Sequence, residues 1–320
     1  MNGVMTRRDA LAALGGSFAA LGIPNAIAAE PLTLVRVSMA PFYAVAPHYA
    51  ADAQGYFAAE GIAVTNQAIQ GGVVGIPGLV SGSFDILNSN SISVLTAMER
   101  GIDLRIIAEG VAIPSKPPDA DALFKRKGEP IASGKDLEGK IIGVNTRFDA
   151  MWLVMQGWVK KTGGDLDKIT YREVPMPAMI DALKTRQVDV ALVLDPFMTV
   201  GFADPALELV AWPSSAVLPG APSAFWVVTG TTAETKPDMI RSYLRGFRKG
   251  VAWINGNLGD QAYLDLVAGY TKVDPKLLAK MYTAPQPTEI HVDAINNLAA
   301  FMREFGLLKA PADIRPKVFS

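Results

Sequence analysis

The chain has 320 residues, half of them apolar and 19% charged, with a formal net charge of −1 and no cysteine. That length holds two lobes with separate cores. The near-neutral charge excludes a field that would hold nucleic acid or an anionic membrane, and the absent cysteines exclude disulfides, thiolate metal sites and thiol nucleophiles.

The N-terminus reads as an export signal. Thr6-Arg7-Arg8-Asp9 precedes a weakly apolar run, Leu11 to Ile23, diluted by Gly15, Gly16 and Gly22; Pro24 and the small-residue site Ala26-Ile27-Ala28 follow. This is the order of n-region, h-region and cleavage site in a bacterial secretory signal. The paired arginines resemble the twin-arginine type, although Ala10 stands where a large apolar residue is often found, so the general secretory route stays open. The run is shorter than the roughly 20 apolar residues that span a bilayer. Residues 1–28 are expected to be removed on export to the periplasm, leaving a mature chain of net charge −2.

The mature chain opens with a strand over 32–39, then a helix over 42–60 that stops at Gly61. A strand over 62–69 leads through Gly71-Gly72 into a second helix ending near Gly82. Residues 84–87 form a short buried strand, Asn88-Ser89-Asn90-Ser91 caps the next helix, and 104–111 is a further strand. Ser115-Lys116-Pro117-Pro118 breaks regular structure and marks a crossing. Beyond it, 140–145 is a strand, 148–162 a helix with a buried stripe through Met151, Leu153, Val154, Met155 and Trp158, 188–194 a central strand, and 207–212 another. The loop 213–222 crosses back, 225–229 rejoins the first sheet, and helices over 236–257, 260–269, 275–282 and 292–305 complete the chain.

Two stretches about a hundred residues apart repeat one another. Leu79-Val80-Ser81-Gly82-Ser83-Phe84-Asp85-Ile86 is echoed by Leu183-Lys184-Thr185-Arg186-Gln187-Val188-Asp189-Val190. Each is a helix end, a polar turn, an apolar residue, an Asp and a short apolar strand, and the flanking strands repeat too. A strand–helix–strand–helix–strand unit built twice predicts two similar α/β lobes facing a cleft. The expected division is 29–115 with 222–320 for a discontinuous first lobe closed by its own C-terminal helices, and 116–221 for the second. Two crossings make a hinge, which suits closure on a ligand.

Four motifs carry a family resemblance. Gly55-Tyr56-Phe57-Ala58-Ala59-Glu60-Gly61-Ile62 resembles the G-Y-F-x-x-E-G-hydrophobic signature of ABC transporter solute-binding proteins for sulfonates, taurine, nitrate and the thiamine pyrimidine precursor. Leu79 to Ile86 is similar to that group's L-x-S-G-x-x-D-hydrophobic motif. Asp136-Leu137-Glu138-Gly139-Lys140-Ile141-Ile142-Gly143-Val144 resembles its D-L-K-G-K-x-I-G-V, with Glu138 for the usual Lys. Ala182 to Ala191 matches its A-L-x-x-G-x-V-D-A, with Arg186 and Gln187 departing. Order and spacing fit nearly the whole mature chain, but these are scaffold motifs and name no ligand. The resemblance implies a two-lobed α/β fold of the periplasmic-binding-protein type II class, each lobe a mostly parallel sheet flanked by helices, with the ligand cleft at the hinge. It also implies a membrane permease and its ATPase as partners.

In an open α/β sheet ligands lie beyond the carboxyl ends of the strands, where helix N-termini present free N–H groups. That rule selects Ser38, Phe42 and Tyr43 after the first strand, Gly71 and Gly72 after the second, and Asn88, Ser89 and Asn90 after the third. In the second lobe it selects Asn145, Thr146, Arg147 and Phe148, then Asp195 and Phe197. Such a set would stack a flat or apolar body and hydrogen-bond its polar ends. Each residue also has a structural explanation: Phe42 and Tyr43 as core, Asn90 and Thr146 as helix caps, Gly71-Gly72 as a turn, and Asp195 before Pro196 as a cap. Arg147 beside a helix N-terminus suits a carboxylate or sulfonate, whereas Asp195 suits an amine or ring N–H. His48 reads as a satisfied helix histidine, His291 stands alone, Trp152, Trp158 and Trp253 read as core, and Trp226 on the returning strand is the one within reach of the cleft.

Enzyme chemistry finds no support. Residues 71–78 are glycine-rich but lack the Gly-Lys-Ser/Thr of a phosphate loop, there is no G-x-S-x-G elbow, and no His–carboxylate cluster has metal-ligand spacing. Fungal enzymes that make the thiamine pyrimidine share the scaffold but carry a cysteine-rich motif absent here. The sequence therefore points to an exported, monomeric, non-enzymatic solute-binding protein without a cofactor. Its expected ligand is a small anionic or aromatic organic solute. The alternatives are a thiamine pyrimidine precursor, or service to a sensor rather than a permease.

Overall fold

The computed structural model describes residues 31–309 and 317–319, with the surroundings of Gly72 and Val73 left out; the expected signal segment, 1–28, lies outside the described residues. In chain order the first half runs β1 (Thr33–Met39), α1 (Ala46–Ala53), β2 (Ile62–Ala68), α2 (Gly72–Val80), β3 (Ile86–Asn90), α3 (Ser91–Glu99) and β4 (Leu104–Glu109). After a crossing come β5 (Asp121–Arg126), β6 (Ile141–Val144), α4 (Ala150–Lys161), β7 (Thr170–Glu173), α5 (Met179–Lys184), β8 (Val190–Leu194), α6 (Phe197–Ala203), β9 (Leu207–Ala211) and α7 (Pro213–Val217). The chain then returns as β10 (Ala224–Thr229) and finishes with α8 (Gly230–Thr235), α9 (Pro237–Gly256), α10 (Gln261–Thr271), α11 (Pro275–Leu278) and α12 (Val292–Glu304).

Two five-stranded sheets result, ordered β2-β1-β3-β10-β4 and β7-β6-β8-β5-β9. They are the same sheet built twice. In the first, β1 pairs parallel with β2 and β3, and β10 runs antiparallel to β3 and β4. In the second, β6 pairs parallel with β7 and β8, and β5 runs antiparallel to β8 and β9. The repeated aspartates explain the echoed motif. Asp85 accepts the Arg36 N–H of β1 at 3.1 Å, and its own N–H donates to the Arg36 carbonyl at 2.8 Å. Asp189 does the same with Ile141 of β6, at 2.8 Å both ways. In each lobe the aspartate thus hydrogen-bonds the turn entering the third strand to the first strand, using backbone groups that would otherwise be orphaned.

The sequence missed β5, reading no element between the first crossing and residue 133. The long first helix expected over 42–60 is a short 3-10 turn, then α1, then turns closed by a second 3-10 turn at Ala58–Glu60. Nor do the C-terminal helices serve the first sheet alone. The buried stripe of α9, Ile240, Tyr243, Leu244, Phe247, Val251 and Ile254, recurs every third or fourth residue and faces α1 and the first sheet; a Cβ on Gly250 would collide with the Pro47 carbonyl. By contrast α12 reaches the second lobe: Lys160 of α4 pairs with Glu304 at 3.3 Å, and Phe301 lies against Gly157.

The two crossings run side by side. Gly110 and Ile113 donate to the carbonyls of Ala224 and Ala221 at 2.8 Å, and Ser223 and Gly220 donate back to Val111 and Ile113 at 2.9 Å. This short antiparallel ladder joins the sheets and forms the floor of the space between them. Among the described residues no helix is long and apolar enough to cross a membrane.

Candidate ligand-binding cavity

Where the carboxyl ends of the parallel strands meet the crossings, the lobes enclose a cavity of about 110 Å³. An apolar cavity of roughly 150 Å³ admits a benzene-sized molecule, so this space is of the order of a single small ring. The first lobe contributes the loop after β1, the turn after β2, and the end of β3 with the start of α3. The second contributes the turn after β6, the start of α4, the start of β5 and the start of α7. Ile92, Met151, Val154, Leu218 and Leu298 supply an apolar body to the walls.

Seven of the expected residues converge on this cavity: Phe42, Tyr43, Gly71, Asn88, Ser89, Asn90 and Asn145. Asn90 also caps α3, its side-chain oxygen accepting the Ser93 N–H at 2.9 Å. Three others are buried yet keep a side-chain atom that no protein atom hydrogen-bonds: Asn88 Nδ2, Ser89 Oγ and Asn145 Oδ1. Buried polar atoms are nearly always paired, so three unpaired ones lining one cavity mark a place that meets something polar. Asn145 also ties the lobes together: its Nδ2 donates to the Gln70 carbonyl at 2.9 Å, and Gln70 Nε2 donates to the Asn145 carbonyl at 3.2 Å. Gly71 is needed at this seam for space, since a Cβ there would stand 2.8 Å from Thr146 Oγ1 and 3.0 Å from Asn145 Nδ2.

Of the other seven, the six whose surroundings are described do not line it. Ser38 is buried on β1 and donates to the Gln67 carbonyl at 3.2 Å. Gly72 begins α2, and its surroundings lie outside the described residues. Thr146 is buried beside Asn145 but is not the cap of α4; Asp149 is, accepting the Trp152 N–H at 3.1 Å. Because the cap is Asp149 rather than Thr146 and the helix begins at Ala150, two residues later than expected, Arg147 and Phe148 lie in the preceding turn and are exposed. Phe148 has a φ of 61° and is 56% exposed, Arg147 is exposed, and its guanidinium sits over the Phe148 ring at 5.2 Å. Asp195 is fully buried and occupied, accepting from the Thr199 N–H at 3.2 Å, the Thr199 hydroxyl at 2.9 Å and the Tyr282 N–H at 2.5 Å. Phe197 is core.

His48 is a satisfied histidine: it lies fully buried between Tyr243 Oη at 2.9 Å and Asn66 Oδ1 at 2.7 Å, and burial pulls its pKa down to about 4. Trp226 stacks on that imidazole in the core and does not line the cavity. His291 meets Glu109 at 3.3 Å, also away from the cavity.

Three carboxylates stand where the sequence reading expected none. Asp119 accepts the Ala120 N–H at 2.7 Å and the Ser215 N–H. Asp121, the first residue of β5, accepts the Ser214 N–H and hydroxyl. With the cap Asp149, all three are buried and line the cavity. Burial pushes Asp121 well above the ordinary carboxylate range, and the neighbouring charge of Asp119 pushes it further. Burial raises Asp119 too, against the amides it accepts. Asp149 is pushed up to about 7 by burial, with the amides of Trp152 and Met151 opposing. Among the described residues no Lys, Arg or His lines this cavity. One signal was present in the sequence: Asp119-Ala120-Asp121 directly before an apolar run, at the amino end of a strand running against its neighbours, which brings its first residue rather than its last to the cleft.

The family model described as NMT1/THI5 like matches residues 43–257. Among curated proteins, the riboflavin-binding protein RibY of Chloroflexus aurantiacus is 24% identical over 313 residues, covering 91% of this chain and 86% of that protein. Among solved structures, the alkanesulfonate-binding protein SsuA from Xanthomonas axonopodis pv. citri bound to MOPS superimposes with a TM-score of 0.74 at 16% identity, covering 89% of this chain and 98% of that one. The ligand-binding component of an ABC-type import system from Staphylococcus aureus with zinc bound gives 0.75 at 14% identity, over 89% and 96%. At such identities the structural matches speak for the fold, which is that of periplasmic binding proteins.

Proposed function

The chain belongs to the NMT1/THI5-like family, and we propose that it is the extracytoplasmic capture component of an ABC importer, holding a small organic solute between its two lobes. The observation that carries this reading is the convergence of Asn88, Ser89 and Asn145, drawn from both lobes, on one enclosed cavity with an unpaired polar atom apiece. The paired crossings act as the hinge, dividing the chain near residues 115 and 222, and the Gln70–Asn145 exchange fastens the lobes beside the solute. Export as a monomer, directed by residues 1–28, and delivery to a permease and its ATPase belong to this proposal; no catalytic step does.

The walls bear on the ligand. Arg147, the reason for expecting an anionic solute, faces away from the cavity, so a sulfonate or carboxylate finds no cation there. Phe42 and Tyr43 with the apolar wall residues suit a flat ring, and the amides and hydroxyl suit its polar edge. The alternative of a pyrimidine-type solute fits this composition better, and a relative named for binding riboflavin points the same way. Titration calorimetry of the full chain with aminopyrimidines, riboflavin, aromatic amines and alkanesulfonates tests the reading. A member of the first three classes binds, and Asn88→Ala and Asn145→Ala each weaken it about tenfold, the order expected for one lost hydrogen bond. Unchanged affinity in both variants would refute it.

A further inference from the structure

We propose that the cavity recognises a cationic solute, the carboxylates of Asp119 and Asp121 receiving a protonated amine or amidinium carried on a small ring. This rests on the reading of the cavity as the capture site and names the chemistry it selects.

Helix capping explains part of the carboxylate set but not all of it. Asp149 caps α4 alone, as one residue suffices to do. The five-residue α7, however, receives two carboxylates on its first amides, Asp121 on Ser214 and Asp119 on Ser215. Both carboxylates reach neighbouring amides at the start of α7 and line the cavity, so these two sit together on its wall, Asp119 raising the cost of ionising Asp121. Neither forms an ion pair with a basic side chain among the described residues. Two adjacent buried carboxylates with no counterion are a costly arrangement that a bound cation relieves.

A second observation is independent of the acids. Asn145 is 2% exposed, and because its Nδ2 already donates to the Gln70 carbonyl, the atom left unpaired is the oxygen, an acceptor. Ser89, 1% exposed, offers another unpaired oxygen. With the unpaired Asn88 Nδ2 as a donor and these oxygens as acceptors, the wall has acceptor positions free for the N–H of a solute beside the carboxylates. Tyr43 and Phe42 also line the cavity, and aromatic rings attract cations.

The test uses one ring with the charge varied: benzamidine and phenethylamine as cations, benzamide as the neutral isostere, phenylpropionate and benzenesulfonate as anions. Thermal unfolding of the full chain is recorded with each at millimolar concentration, for wild type and for Asp121→Asn and Asp119→Asn. The expected result is stabilisation by the two cations alone, with benzamidine affinity falling roughly tenfold or more in each variant. The free variants should melt no lower than wild type, which shows that the loss is not misfolding. Equal stabilisation by benzamide, stabilisation by the anions, or cation binding that survives both substitutions would overturn the inference while leaving the capture reading in place. No stabilisation by any probe would likewise overturn the inference, and the capture reading then stands or falls by the calorimetry with aminopyrimidines and riboflavin.

Discussion

At the scale of single residues, the informative feature is how many acids this protein keeps away from water. Asp149 and Asp195 are each pushed up to about 7, chiefly by burial, and Asp121 is raised further by Asp119. A carboxylate with a folded pKa above its unfolded value binds more protons when folded, so its contribution to stability is present at low pH and fades as pH rises from about 4 to 7. His48 works in the opposite direction: lowered to about 4, it favours the folded state above its ordinary pKa of about 6.5 and disfavours it as pH falls towards 4. Between pH 4 and 6.5 the two effects oppose each other; above 6.5 only the acids act. The melting temperature of the free chain should therefore fall between pH 6 and 8. Asp149→Asn keeps the cap, since Asn caps as well as Asp, and should flatten that decline. A melting temperature that holds or rises over this range would show that the acids ionise without penalty.

At the scale of elements, the two sheets are related by their turns. Asp85 and Asp189 occupy equivalent turns and make equivalent backbone bonds, but their environments differ. Asp85 is 6% exposed and also meets Arg36 at 3.0 Å and Lys236 at 3.1 Å, whereas Asp189 is 31% exposed and forms an ion pair only with Arg126, at 3.5 Å, among the described residues. Asp85→Ala leaves the Arg36 N–H without its partner, and should cost about 2–3 kcal/mol in chemical unfolding; Asp189→Ala should cost about 1 kcal/mol. Equal losses would mean that the shared backbone bonds, not the burial and ion pairs around Asp85, set the energetics. The same repetition explains what was legible in the sequence. Parallel strands followed by helices recur in both halves, so β1, β2, β3, β6 and β8 are readable from their motifs. β5 is not, because its counterpart β10 comes only after the whole second lobe, so the sequence offers no neighbouring copy to align it with.

At the scale of the whole molecule, the proposed function places the site where the two sheets meet. Of the residues the strand-end rule selected, Phe42, Tyr43, Gly71, Asn88, Ser89, Asn90 and Asn145 line the cavity, because parallel strands deliver their carboxyl ends there. The rule missed Asp119 and Asp121 because β5 runs the other way and delivers its amino end. It also selected Arg147 and Phe148, which lie exposed in the turn after β6 because that turn runs on to a cap at Asp149. That placement changes the expected ligand, since it removes the one cation and leaves three acids. The measurement that bears most directly on the central claim is a crystal structure of the chain with the solute that titration identifies. The account predicts solute density between the lobes, with polar atoms within hydrogen-bond distance of Asn88, Ser89 and Asn145. Density only at another surface, such as the open pocket beside Tyr49 and Tyr270, with this cavity holding none of it, would contradict the account.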